Sequence, residues 1–506
     1  MQFGFSKRYW HRWTRSLNFF VVGLSCFLGL LPESVAAQTQ TRLCRADLAS
    51  QIEAIIHRPA FRRARWGILI QTLSTAPETV YSYDAEKFFI PASNVKLLTT
   101  AAALTQLGPN FRIRTAVYQI PTATVAANQN VLRIVGEGDP SFSDRQLQSL
   151  VEQIRQRGIR HIDQLVADDY AFQSDAINPN WEWEDVQAGY GAPVNRLILN
   201  QNAIGLTLVP QALGQPLQVQ WDDPNQTTRW QVVNRSRTVA ITAPEYVQVG
   251  RDLSQLILYV DGQLRVGSAP EPVAVSIPQP TQHFLERLQQ TLATEQIRVE
   301  QTAIVNEPLP AFAQRIASVE SPPLAELLLE TNQQSNNLYA EALLRMLGRQ
   351  PLMNSADPRS VLDAELAAGI ETLQTVLTRL GVAANSYSLT DGSGLSRQNL
   401  VSPTALVETL QAIAQLPDAA IYRGSLPVAG VSGTLRSRFR DTPVQNRLQA
   451  KTGALSGIAA LSGYLQPVHS PQLVMSILVN QADLALGEIQ DAIDAVVEVV
   501  VKLEPC

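Results

Sequence analysis

Pro91-Ala92-Ser93-Asn94-Val95-Lys96-Leu97-Leu98-Thr99-Thr100 is the stretch on which the reading of this chain turns. Pro91 opens a helical pattern in which Val95, Leu98, Ala102 and Leu104 recur at helical spacing until Gly108-Pro109 ends it. Ser93 sits at the start of that helix. Lys96, three residues on, falls on the same face, so its amine lies one turn from the hydroxyl. A serine hydroxyl alone is a weak nucleophile, and a lysine can act as its base if burial or a neighbouring cation depresses its pKa. The start of the helix also offers unpaired backbone N–H groups to a developing oxyanion. A capping serine beside an exposed lysine has the same spelling, so the pair needs support from elsewhere in the chain.

Lysine is scarce here. Of 40 basic residues only Lys7, Lys87, Lys96, Lys451 and Lys502 are lysines. Lys451-Thr452-Gly453 stands just before an apolar run from Ala459, where a cation, a hydroxyl and a residue without a side chain could bind a carboxylate at a strand edge and admit a substrate backbone. Ser335-Asn336-Asn337 interrupts an otherwise helical region with poor helix formers, which either make a plain turn or project a hydroxyl and an amide into a cleft.

Further outward, Trp66 to Ile70 reads as a buried strand with Thr79 to Tyr83 as its hairpin partner, and Ala459 to Leu465 with Leu473 to Val479 as a second hairpin. A helix follows in which Ile489, Ile493, Val496 and Val500 share one face. Helical periodicity also runs over 324–347, 362–380 and 403–416. Strands at both ends around a helical middle predict one α+β domain built from residues 38–109 and 315–506. Residues 110–314 differ, with short β-like runs and helical segments only near 143–158 and 282–295. They predict a β-rich insertion of two nested subdomains, the inner one spanning roughly 195–275. Within it, Ile257 to Val266 reads as two strands about an Asp261-Gly262 turn.

The chain has 506 residues, 45% hydrophobic and 17% charged, which suits two to four domains and excludes disorder as the main state. Net charge is −5 and no long Lys/Arg tract recurs beyond residue 15, so nucleic acid is excluded as a partner. Residues 1–37 carry Lys7, Arg8, Arg12 and Arg15, then an apolar stretch from Leu17 to Leu31, then Pro32 and Ser34-Val35-Ala36-Ala37, the pattern of a secretory signal peptide. About fifteen apolar residues fall short of the roughly 20 that a span needs, so no stable membrane span is expected after cleavage. Removing four cations and one anion (Glu33) would leave −8, an acidic protein secreted or held in the periplasm. Cys26 lacks the small-residue run of a lipid-anchor site. Cys44 and Cys506 would remain, either paired as a disulfide or as two free thiols. There is no His-Glu-x-x-His, no Cys/His cluster and no Gly-x-Ser-x-Gly, so no metal is implied and a Ser-His-Asp triad is disfavoured. Gly136-Glu137-Gly138 reads as a turn rather than a phosphate site.

Ser93-x-x-Lys96, Ser335-x-Asn337 and Lys451-Thr452-Gly453, in that order, resemble the three active-site motifs of penicillin-binding proteins and serine β-lactamases. The long gap between Ser93 and Ser335 is similar to that of the D-alanyl-D-alanine carboxypeptidase/endopeptidase family, the low-molecular-mass class C penicillin-binding proteins. Further stretches resemble that family: Gly138-Asp139-Pro140, Tyr190 to Asn202, Ser335 to Arg345, Asp391 to Arg397 and Leu426 to Leu435. Ser432 departs from it, at a position where such proteins often have Asp.

The resemblance implies a penicillin-binding, β-lactamase-like transpeptidase domain, an antiparallel sheet flanked by helices, interrupted by a large insertion. It implies that Ser93 is acylated, Lys96 is its base, Ser335 relays the proton to the leaving amine and Asn337 holds the substrate amide. Lys451, Thr452 and Gly453 would bind the terminal carboxylate, with the N–H groups of Ser93 and Ala454 as the oxyanion hole. No cofactor is implied. The expected partners are peptidoglycan stem peptides ending in D-Ala-D-Ala, with β-lactams as trapped inhibitors. Asp168 and Asp169 resemble the part of the insertion that contributes an acidic group near the substrate side chain, where it could meet a free amine. Two other readings share these motifs: a serine β-lactamase, usually without such an insertion, and a catalytically silent peptidoglycan-binding protein.

Overall fold

The computed structural model describes residues 43–121, 130–168, 177–352 and 365–504. Residues 1–37, expected to be a signal peptide, and Asp169 lie outside these residues. At the centre is a five-stranded antiparallel sheet in the order Leu448–Leu455, Ile458–Leu465, Leu473–Asn480, Arg65–Thr72, Thr79–Tyr83. Both ends of the chain therefore build one sheet.

The two central C-terminal strands are buried at every position, because alternate side chains enter different cores. Ala460, Tyr464, Val474 and Leu478 meet the helices Val95–Leu107, Leu324–Gln333, Asn337–Leu352, Glu365–Arg379 and Pro403–Ala414 on one face. Leu461, Met475, Ile477 and Val479 meet the helices Arg45–Ile56 and Leu486–Val500 on the other.

Chain entry to and exit from the insertion lie side by side: Ser321 N–H donates to the Ile113 carbonyl at 2.8 Å, and Leu324 N–H to that of Phe111 at 2.8 Å. A mixed sheet follows, in the order Arg298–Val305, His161–Asp168, Val131–Gly136, Arg114–Ile120, Gln314–Glu320. The helices Asp144–Gln156 and Pro280–Thr294 cover one of its faces through Leu147, Leu150, Phe284 and Leu288. The outer part of the insertion is thus an α/β layer, while residues 203–276 form two all-β sheets with a small core around Trp230, Leu258 and Val260.

Two local expectations are corrected. Ile257–Arg265 is one continuous strand rather than a hairpin, paired with Tyr246–Arg251 through Asp261 and Gly262 without a break. Gly262 marks a close approach instead of a turn: a Cβ there would lie 2.3 Å from the Tyr246 carbonyl oxygen. The helical run expected over 324–347 is two helices, Leu324–Gln333 and Asn337–Leu352, parted where Ser335 adopts φ +60°.

Cys44 is disulfide-bonded. Leu43–Cys44 pairs in parallel with Leu503–Glu504 and sets Cys44 opposite Glu504, two residues before Cys506, which lies outside the described residues. No described helix is long and apolar enough to cross a membrane.

Candidate active site

Ser93 lies in a tight turn, Ala92–Asn94, that runs directly into the helix Val95–Leu107. Ala92 holds φ +48°, a strained value for a residue with a side chain. Two close approaches secure the turn. A Cβ on Gly394 would sit 1.8 Å from the Ala92 carbonyl oxygen, and one on Gly453 would sit 2.8 Å from that of Pro91. Glycine at both positions lets the Asp391–Arg397 loop and the strand Leu448–Leu455 press against the serine from two sides.

Lys96 is fully buried, with Nζ 2.9 Å from Ser93 Oγ, 2.6 Å from Asn337 Oδ1 and 2.7 Å from the Ser393 carbonyl oxygen. Burial pulls its pKa down to about 7, although the charges of Asp391 and Glu341 pull it back up. Two of the three neighbours, an amide oxygen and a backbone carbonyl, can only accept. A neutral amine therefore spends its two N–H groups on them and turns its lone pair to the Ser93 hydroxyl. This is the arrangement a serine needs from its base.

The second motif arises from the helix break. Ser335 occupies the left-handed gap between two helices, and Asn337 starts the second of them. Asn337 divides its amide between two walls of the cleft: Oδ1 accepts from Lys96, and Nδ2 donates to the Tyr190 carbonyl at 3.0 Å, in the insertion. Lys451, also fully buried, donates from Nζ to Ser335 Oγ at 2.8 Å and to the Thr452 carbonyl at 2.9 Å. Burial, and then the nearby Lys96, hold its pKa well below the usual lysine range. An incoming carboxylate would reverse part of that effect. Thr452 shares a hydrogen bond of 2.7 Å with Thr434.

The strand that carries Lys451, Thr452, Gly453 and Ala454 is the edge of the main sheet. Its outer side is covered near Leu448–Ala450, where Ala450 N–H reaches the Pro427 carbonyl and Ala429 N–H that of Leu448. Among the described residues no backbone hydrogen bond from outside the sheet reaches 452–455. An extended peptide can add to this free edge, with Ala454 exposed at the point of entry. The three motifs therefore converge through direct contacts, Ser93–Lys96–Asn337 and Ser335–Lys451.

Asp168 has another task. It is buried at the end of His161–Asp168 and paired with Arg133 at 2.7 Å, with only 5–6% of either side chain exposed, so its charge is neutralised inside the insertion. The acidic group beside the Tyr190 wall is Asp185, whose Oδ1 accepts from the Tyr190 hydroxyl at 2.9 Å. Burial pushes its pKa up, with Glu182 and Glu184 adding to the effect and the Tyr190 hydrogen bond and Arg397 opposing it. Trp181 ties the same segment to the core by donating to Asp391 at 3.0 Å. The signal for it is Trp181-Glu182-Trp183-Glu184-Asp185, which ends five residues before Tyr190 and the stretch it opens. Glu341, Asp391 and Ser393 lie within the Ser335 to Arg345 and Asp391 to Arg397 stretches, and they act on the site chiefly through backbone groups.

A buried lysine poised on a serine at a helix start, beside a free sheet edge and a second buried lysine, is the arrangement of a serine enzyme working through an acyl-enzyme. The sequence model of the D-Ala-D-Ala carboxypeptidase 3 (S13) family matches residues 48–500. The D-alanyl-D-alanine carboxypeptidase of Actinomadura sp. (strain R39) is 30% identical over 463 residues, covering 88% of this chain and 84% of that protein. Penicillin-sensitive carboxypeptidase A of Dictyostelium discoideum is 28% identical over 472 residues, 87% of each chain. Among solved structures, penicillin binding protein 4 from Haemophilus influenzae superimposes with a TM-score of 0.75 at 22% identity, covering 90% of this chain and 98% of that one. The chain belongs to the D-Ala-D-Ala carboxypeptidase 3 (S13) family and is a serine-type D-Ala-D-Ala carboxypeptidase.

Proposed function

We propose that the protein removes the terminal D-Ala from peptidoglycan stem peptides by the following division of labour. The observation that carries it is the fully buried Lys96 amine, 2.9 Å from Ser93 Oγ with its other two contacts taken by obligate acceptors. A stem peptide lies along the free edge at 452–455, its terminal carboxylate held by Lys451 and Thr452, its penultimate amide held by Asn337. Lys96 takes the Ser93 proton as Oγ attacks the penultimate carbonyl, and the N–H groups of Ser93 and Ala454 receive the oxyanion. Ser335, bonded to Lys451, relays to the leaving D-Ala amine the proton that Lys96 took from Ser93, which returns Lys96 to its free-amine form. Water then enters, and Lys96 activates it to release the shortened peptide.

The same serine would be acylated by a β-lactam, in keeping with the penicillin sensitivity named for the Dictyostelium relative. Asp185 is placed to meet a free amine on the substrate side chain, and such a side chain would extend the activity to cross-linked peptides. Acting on the cell wall requires export, and residues 1–37 are read as the signal for it.

The test is D-Ala release from a synthetic stem pentapeptide. The purified protein should release D-Ala, lose the activity on Ser93→Ala, and be blocked by penicillin. A folded wild type that releases no D-Ala and takes up no penicillin would contradict the assignment.

A further inference from the structure

The helix Asn337–Leu352 carries more of the site than Asn337. Asn337, Glu341, Arg345 and Arg349 succeed one another at four-residue intervals along it, so they form a slowly winding stripe. Asn337 touches Lys96. One turn on, Glu341 is completely buried, a position that penalises a carboxylate by several kcal/mol unless its oxygens are satisfied. Oε1 accepts the N–H groups of Gly392 and Ser393, each at 2.9 Å. Oε2 faces the Arg345 guanidinium at 3.4 Å. Arg349 continues the stripe to Glu137 of the insertion at 3.5 Å.

The two N–H groups that Glu341 holds belong to the loop that carries the Ser393 carbonyl, the acceptor 2.7 Å from Lys96 Nζ. The loop is gripped from elsewhere too. The Gly392 carbonyl accepts from Thr99 Oγ1 at 2.7 Å, and Asp391 takes the N–H groups of Gly394 and Ser396, each at 2.7 Å. Glu341 hydrogen-bonds this loop to the helix that also presents Asn337, where Gly392 packs closely on Ala340 and Leu344. It therefore sets the distance between the two acceptors that share the amine.

We infer that Glu341 is a positioning residue: by holding the Gly392 and Ser393 N–H groups it fixes the Ser393 carbonyl against Lys96, and so aims the amine lone pair at Ser93. The inference rests on the Ser93–Lys96 reading above. It also has an electrostatic side. Lys96 is faced by the carboxylates of Glu341 and Asp391, and by the cation of Lys451 from the sheet edge, with Arg345 next to Glu341. The two carboxylates favour the ammonium form of Lys96, so removing the Glu341 charge leaves the free amine available at lower pH. Glu341 itself is pushed up to about 7, first by burial and then by Asp391, against Arg345.

The test is the second-order rate of acylation by a fluorescent penicillin between pH 5 and 9, for wild type, Glu341→Gln and Glu341→Ala, with Ser93→Ala as blank and thermal midpoints recorded. Glu341→Gln keeps an acceptor for the two N–H groups and loses the charge. Its rate at pH 8 should stay within about tenfold of wild type, while the acid limb of its profile moves to lower pH. Glu341→Ala loses both, and should fall by about a hundredfold across the range. A scaffold role would lower the midpoint of either variant without moving the limb, so an unmoved limb in folded Glu341→Gln overturns the inference, whether or not Glu341→Ala folds. Wild-type rates in a folded Glu341→Ala also overturn it. A wild type that penicillin does not acylate removes the Ser93 reading itself, and the positioning role falls with it.

Discussion

Lys96 has three polar neighbours, and its free amine dominates only above a pKa of about 7. Because the amine is the reactive form, acylation should fall about tenfold per pH unit below that point and level off above it. A rate profile with penicillin as acylating agent checks this, and a flat profile down to pH 5 would remove Lys96 as base. Lys96→Ala should lose about 10²- to 10⁴-fold in the same assay, the usual range for a general base.

Lysine scarcity made Lys96 and Lys451 legible in the sequence, since two of the few lysines stood in two motifs. Glu341 and Ser393 were not legible as site residues. What they supply is the placement of a backbone carbonyl, which leaves no mark in residue type. Asp168 misled for a related reason: an acidic residue reads the same whether it faces a substrate or the guanidinium of Arg133, 35 positions away.

At the scale of elements, the serine turn depends on two glycines that belong to other parts of the chain. Gly394 combines φ +81° with a Cβ position 1.8 Å from the Ala92 carbonyl oxygen. Gly394→Ala should therefore displace the turn or the loop and cost about 1–3 kcal/mol of stability, with acylation largely lost; urea denaturation and penicillin labelling measure the two effects. The helix break at Ser335 was half legible. Poor helix formers marked it, but a helix-period pattern continues through 324–347 because both helices bury their leucines in the same core. Gly262 shows the opposite error, a turn signal overridden by an unbroken strand register in the inner sheet.

Over the whole molecule, the main sheet combines strands from both ends of the chain, and a separate two-stranded pairing of Leu43–Cys44 with Leu503–Glu504 brings those ends together again. The strand runs at both ends made this architecture legible, since nothing else explains apolar strands that far apart. The layering of the insertion was less so, because a mixed sheet covered on one face by helices gives short, weakly alternating strands. We propose Cys506 as the partner of the disulfide-bonded Cys44. Cys506→Ser should then expose one free thiol on Cys44 and destabilise the fold by about 2–5 kcal/mol, seen as a lower thermal midpoint that reductant no longer changes.

The insertion has its own internal tie in the buried Arg133–Asp168 pair. Arg133→Ala should cost about 3–5 kcal/mol by removing the cation that neutralises the buried Asp168, measured by chemical denaturation.

The most direct measurement is the intact mass of the mature protein after exposure to benzylpenicillin, followed by peptide mapping and the rate at which the adduct is lost. The account predicts one slowly released acyl group on the peptide that contains Ser93, absent in Ser93→Ala. An adduct on another residue, or none on a folded protein, would contradict the acyl-enzyme mechanism, and rapid turnover of the drug would instead mark a β-lactamase.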